Sequence, residues 1–132
     1  MFAWLLLSGL LFMQDPGYVP VASVAEIMQV FIVPSSNEVF NVGIEFPETD
    51  EGWKAVERNA LILAESGNLL LVPERAQERQ GWIEAARTMT GAARASLEAA
   101  RARSTDPDAW FTLSDEVLAS CTSCHETYWI VD

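Results

Sequence analysis

Asp106-Pro107-Asp108-Ala109-Trp110-Phe111-Thr112-Leu113-Ser114-Asp115-Glu116-Val117-Leu118-Ala119-Ser120-Cys121-Thr122-Ser123-Cys124-His125-Glu126-Thr127-Tyr128-Trp129 is the stretch that decides the fold. Asp106 is a good N-cap residue, and Pro107 suits the first helical position, where a backbone N–H is not needed. The helix it opens is predicted to run through Trp129, roughly 35 Å at 1.5 Å per residue. The two cysteines of the chain and its single histidine lie near the end of this helix. At 100° per residue, Cys121, Cys124 and His125 fall at 0°, about −60° and about +40°, and so project from one face. Trp110, Phe111, Val117, Leu118 and Tyr128 make the rest of that face apolar.

Three more helical patterns precede it. Ser23 is a plausible N-cap, followed by Val24, Ile27, Met28, Phe31 and Ile32 at i, i+3, i+4, i+7 and i+8. Pro34 removes a backbone donor, so a kink or break is expected there, with the helix resuming from Ser35 to Val42. The second helix starts at Thr49 or Asp50 and ends at Pro73, with Trp53, Val56, Ala60, Leu63, Ala64, Gly67 and Leu71 on one side. Its small residues Ala60, Ala64 and Gly67 either allow a close helix–helix approach or leave room for something bulky. The third helix spans about Glu78 to Arg103, with an inward stripe of Trp82, Ala86, Met89, Ala93, Leu97 and Ala100. No strand pattern competes. Four helices with short connections predict an all-α fold, an antiparallel four-helix bundle.

The chain has 132 residues, one domain's worth, and half of them are hydrophobic, enough for a packed core. A net charge of −11 argues against nucleic acid as a partner, since phosphate binding needs a basic patch, and against docking on an anionic membrane surface. Residues 1–13, MFAWLLLSGLLFM, are apolar and uncharged. As a helix they span roughly 20 Å, short of the ~30 Å hydrocarbon core. They read as the apolar region of an export signal, though no Lys or Arg precedes it. Ser23-Val24-Ala25 has the small-x-small form of a cleavage site, but cutting there removes the start of the first helix. The expected division is residues 1–22 as a hydrophobic export signal and 23–132 as the helical domain. The alternatives are a retained anchor or partner-binding helix, which makes membrane or subunit contact, and a segment of the core.

Cys121-Thr122-Ser123-Cys124-His125 has the C-x-x-C-H form of c-type haem attachment. The chemistry explains the spacing. Each thiol adds across one haem vinyl group to make a thioether, and the adjacent imidazole reaches the iron. A tetrahedral zinc site would need a carboxylate as fourth ligand beside these three residues. A thioredoxin-like redox pair would sit at a helix N-terminus beside a strand, and no such pattern is present. Buried inert thiols are the remaining alternative.

With these motifs in place, the sequence resembles the class of cytochromes that includes cytochrome c′, four-helix bundles with C-x-x-C-H near the C-terminus. The resemblance covers roughly residues 22–130. Besides the haem motif it rests on Ile27-Met28-Gln29-Val30 through Pro34-Ser35-Ser36, on Leu63-Ala64-Glu65-Ser66-Gly67-Asn68-Leu69-Leu70, and on the Tyr128-Trp129 ending. It implies one covalent haem c on Cys121 and Cys124, with His125 as proximal iron ligand. In six-coordinate relatives a methionine of the first helix is the second ligand. Met28 occupies the matching place; the plain alternative is a core methionine, and Met89 is a second candidate. Phe31 and Tyr128 are expected against the haem.

Many five-coordinate, gas-binding members carry a basic residue four positions after the proximal histidine, where this chain has Trp129. Residues 104–132 hold six acids and no Lys or Arg. The expected function is therefore a monohaem electron carrier with His/Met ligation, periplasmic by the resemblance, whose redox partner presents a basic docking patch. The alternatives are a gas-binding cytochrome with an open distal site, lidded by Met28, Phe31 and Ile32, and an electron-relay subunit of a larger complex. Homodimers are common among relatives of this class. Nothing in the chain suggests a hydrolytic enzyme.

Overall fold

The computed structural model describes residues 17–76 and 80–128. Among them there is no strand, and four helical rods pack against one another. The first rod is continuous: α1 (Val24–Ile27), a π-helical turn (Met28–Ile32) and α2 (Val33–Val42). Then come α3 (Asp50–Leu70), α4 (Gln80–Arg101) and α5 (Pro107–Tyr128). The up-down-up-down course is visible at the ends. The start of α4 meets the ends of α3 and α5, and the starts of α3 and α5 meet each other. Amphipathic stripes and short connections suffice to explain this architecture.

The helix starts follow from capping. Ser23 forms a capping box, its hydroxyl accepting from Glu26 N–H at 3.2 Å while Glu26 accepts from Ser23 N–H at 2.8 Å. Thr49 Oγ1 accepts from Gly52 N–H at 3.1 Å. Asp106 Oδ1 accepts from Asp108 N–H at 3.0 Å. At the far end of α4, Arg103 adopts the left-handed conformation, φ 51°, and Ser104 N–H donates back to the Ala99 carbonyl at 3.0 Å.

The stripes of α3 and α4 form the core as expected: Trp53, Val56, Ala60, Leu63 and Ala64 face Trp82, Ala86, Met89, Ala93, Leu97 and Ala100, all buried. Leu71 falls just past α3 and is only half-buried. The small residues serve close approach: a methyl group on Gly67 would lie 2.9 Å from the Ala86 carbonyl oxygen and would collide with the Thr90 side chain. Thr90 Oγ1 donates across this contact to the Ala64 carbonyl at 3.2 Å.

The first rod differs from expectation. It neither breaks nor restarts at Pro34. The adjustment lies one turn earlier, where Val33 N–H donates to the Met28 carbonyl, five residues back. The expected stripe is corrected with it. Ile27 and Ile32 are buried, but Phe31 is 37% exposed, because a π turn advances less per residue than the 100° that would point it inward.

Residues 17–22, expected outside the domain, are partly tied to it. Ala22 packs against the core, and its carbonyl accepts from Arg75 Nε at 2.8 Å. Residues 1–16, which carry the expected export signal, lie outside the described residues. No described helix is long and apolar enough to cross a membrane.

Candidate functional site

The start of the first rod, the end of α3, the start of α4 and the end of α5 converge at one end of the bundle, around two adjoining apolar cavities. One, of about 190 Å³, is bounded by Cys121, Cys124, His125 and Leu118 from α5, by Met28, Ile32 and Phe40 from the first rod, and by Trp82, Ala85 and Met89 from α4. The other, of about 180 Å³, is bounded by Val24, Met28, Trp82, Cys124, His125 and Tyr128. Met28, Trp82, Cys124 and His125 border both.

The α5 wall is rotated from its expected orientation. Trp110, Val117 and Ser120 are buried, Cys121 and Cys124 are half-buried, and His125 is exposed at the rim. Phe111 and Leu118, expected on the inward face, are 52% and 53% exposed. On a helical wheel they lie about 100° or more from the line through Val117 and Cys124, on the His125 side. Leu118 still borders the larger cavity from its edge, whereas Phe111 packs near Gly43 at the opposite end.

Burial pushes both thiols above the ordinary thiol pKa. At Cys121 a hydrogen bond with Ser120 works in the opposite direction, while at Cys124 the charge of a Cys121 thiolate adds to the rise. Both therefore stay protonated at neutral pH, unlike the activated thiolates of redox pairs.

Trp82 organises this end, and its sequence pattern marks it only as core. Its indole Nε1 donates to the Leu70 carbonyl at 2.9 Å, satisfying a free acceptor at the end of α3. Tyr128 stands edge-on to it, centroids 5.4 Å apart. Antiparallel pairing is the signal that could have found it: the head of one helix sits beside the tail of the next, hence Trp82 beside the C-x-x-C-H segment.

The expected site residues Cys121, Cys124, His125, Met28 and Tyr128 are thus gathered around one pair of cavities. Phe31 borders neither, and Trp129 lies outside the described residues. Met89 borders only the larger cavity, beside Phe40 and Ala85. Among the described residues, no three His, Cys, Asp or Glu side chains are placed to hold a metal ion by themselves. A bare-metal site on Cys121, Cys124 and His125 therefore lacks support. A planar macrocycle that brings its own four nitrogens would need only axial ligands and an apolar slot, and Met28 and His125 both border these apolar cavities. No family model, curated protein or solved structure matches the chain.

Proposed function

We propose that this chain is a monohaem c-type cytochrome that carries electrons. The observation that supports the reading is the meeting of two thiols, an imidazole and a thioether around one apolar pair of cavities. In this reading Cys121 and Cys124 would hold the haem through two thioethers, the sulfur going to one carbon of each vinyl group and the thiol hydrogen to the other. His125 of α5 and Met28 of the first rod would hold the iron. The bound group supplies one-electron chemistry at iron.

The chain's own residues then have defined tasks. Trp82, Ile32 and Phe40 exclude water and keep the surroundings of low polarity. Two protein ligands on packed helices move little between oxidation states, which keeps electron transfer fast. A thioether favours ferrous iron and raises the reduction potential. The exposed side of α5 carries Asp108, Asp115, Glu116 and Glu126, so a soluble partner is expected to present a basic patch. Covalent attachment of this kind is completed outside the cytosol, so in this reading the protein is periplasmic, with residues 1–22 as its export signal or anchor.

An optical spectrum of the oxidised protein, purified after co-expression with c-type maturation machinery, tests the ligation. A low-spin spectrum with sulfur-to-iron charge transfer is expected. Met28→Ala should turn it high-spin and open the iron to carbon monoxide. Met28 is only half-buried, so the packing loss is about 2 kcal/mol or less. A native high-spin spectrum instead favours the gas-binding reading, for which Ile32, Phe40 and Met89 supply an apolar distal wall.

A further inference from the structure

The π turn stands directly before a proline and begins at Met28. Pro34 has no N–H to offer the Val30 carbonyl, and in an α-helical turn its ring would press on that carbonyl. The wider turn, closed by Val33 N–H to the Met28 carbonyl, stands where that contact would arise. It also inserts one residue into the helical count, which turns everything upstream by up to about 100° relative to the downstream helix. The burial pattern records this insertion. Ile27 and Ile32 are buried five positions apart, after which Ser36 and Val39 follow at ordinary α spacing. If an unbroken α-helix is drawn backward from Ser36 and Ile32, Ile27 turns to solvent, and Gln29 shares the inward face with a displaced Met28. In the structure Ile27 is 1% exposed and Gln29 is exposed.

We propose that Pro34 is a positioning residue for Met28: by imposing the π turn it sets the rotation at which the thioether faces the cysteine-bearing cavities. The iron readouts of the test rest on the proposed function; the backbone readouts do not.

The test is Pro34→Ala in the full chain. Without haem, nuclear magnetic resonance should show the new N–H at position 34 protected and bonded to the Val30 carbonyl, with the Val33 donor moved from Met28 to Gln29. The Met28 methyl, which borders the same cavity as Trp82 and Tyr128, should change its chemical shift as it turns away from them. With haem, the sulfur-to-iron charge-transfer band should fall several-fold. The double variant Pro34→Ala with Gln29→Met should restore it, because position 29 then occupies the place that Met28 held. A merely structural proline would not produce rescue by a neighbour. The proposal is overturned if Pro34→Ala leaves the π turn in place, or if the turn becomes α-helical while the Met28 methyl shift stays as it was. A wild-type spectrum without sulfur ligation would refute the His/Met reading alone, and the backbone and methyl shifts would still decide the role of Pro34.

Discussion

The two ends of the bundle are built from similar parts and packed differently. At the end where α3 and α5 begin, Trp53 and Trp110 lie against each other, ring centroids 6.5 Å apart. Trp110 Nε1 donates to the Ser104 carbonyl at 2.7 Å. Val42 and Ala100 are buried at this end, and a methyl group on Gly43 would make ordinary van der Waals contact with Trp110 and Phe111. The opposite end has Trp82 and Tyr128, again with an indole donating to a helix-end carbonyl, yet here two apolar cavities persist. The trough at the first end is a surface feature, edged by Glu38, Glu45 and Glu48. Large side chains are thus available at both ends; among the described residues, the hollow is edged by acidic groups at the first end and lined by apolar side chains at the second. That end also holds both thiols, the imidazole and Met28. Space and reactive groups coincide there, as the proposed haem would require.

Truncation offers the largest effect. Trp110→Ala should cost about 3–5 kcal/mol in chemical denaturation. Trp82→Ala should cost clearly less in the haem-free chain, since its neighbours already border empty space. Equal losses would mean that the two ends are packed alike.

Filling sharpens the contrast. Ala100→Leu, at a fully buried site of the packed end, should destabilise by about 1–3 kcal/mol through overpacking. Ala85→Leu, bordering the larger cavity, should leave the haem-free chain as stable or slightly more so, and should block haem incorporation. A loss of stability at Ala85 comparable to that at Ala100 would break the comparison.

The capping box matters because it fixes the rod that brings Met28 to the cavities. Ser23→Ala should cost about 1 kcal/mol, read as a lower melting temperature, and should increase amide exchange at Ile27 and Met28. Unchanged exchange there would show that packing alone holds the turn.

The smallest effect concerns Cys121. Its pKa is raised in the folded chain, chiefly by burial. In the haem-free protein its stabilising contribution is therefore complete below the ordinary thiol pKa and is lost as pH rises through the folded value. Alkylation of Cys121 should be slow at neutral pH and accelerate only in alkaline solution. Rapid labelling at pH 7 would mean an activated thiolate, as in a redox pair.

Much of the fold is legible in the sequence, for definite reasons. The stripes on α3 and α4 follow an unbroken 3.6-residue period, and Ser23, Thr49 and Asp106 are caps by their own chemistry. The cysteines and histidine can be assigned to one helical face because i, i+3 and i+4 leave no other arrangement. Sequence reasoning fails where the period changes or where apolarity misleads. An α count extended through a π turn points Phe31 inward, and the helix runs through Pro34 with the π turn just upstream of it. Phe111 and Leu118 are apolar but sit at the edge of the α5 face. Trp82, Phe40 and Ala85 border the cavities through tertiary convergence of separate helices, which no single helix's pattern records.

Whether the cysteine-bearing end seats a haem is decided by the mass of the intact, denatured protein after co-expression with c-type maturation machinery. With the haem held as proposed, one haem mass is added to the chain, retained through acid–acetone extraction and located on the peptide containing Cys121 and Cys124. Replacing both cysteines with alanine should abolish the addition. A chain of unmodified mass with two free thiols, recovered under conditions that load a control c-type cytochrome, would contradict it.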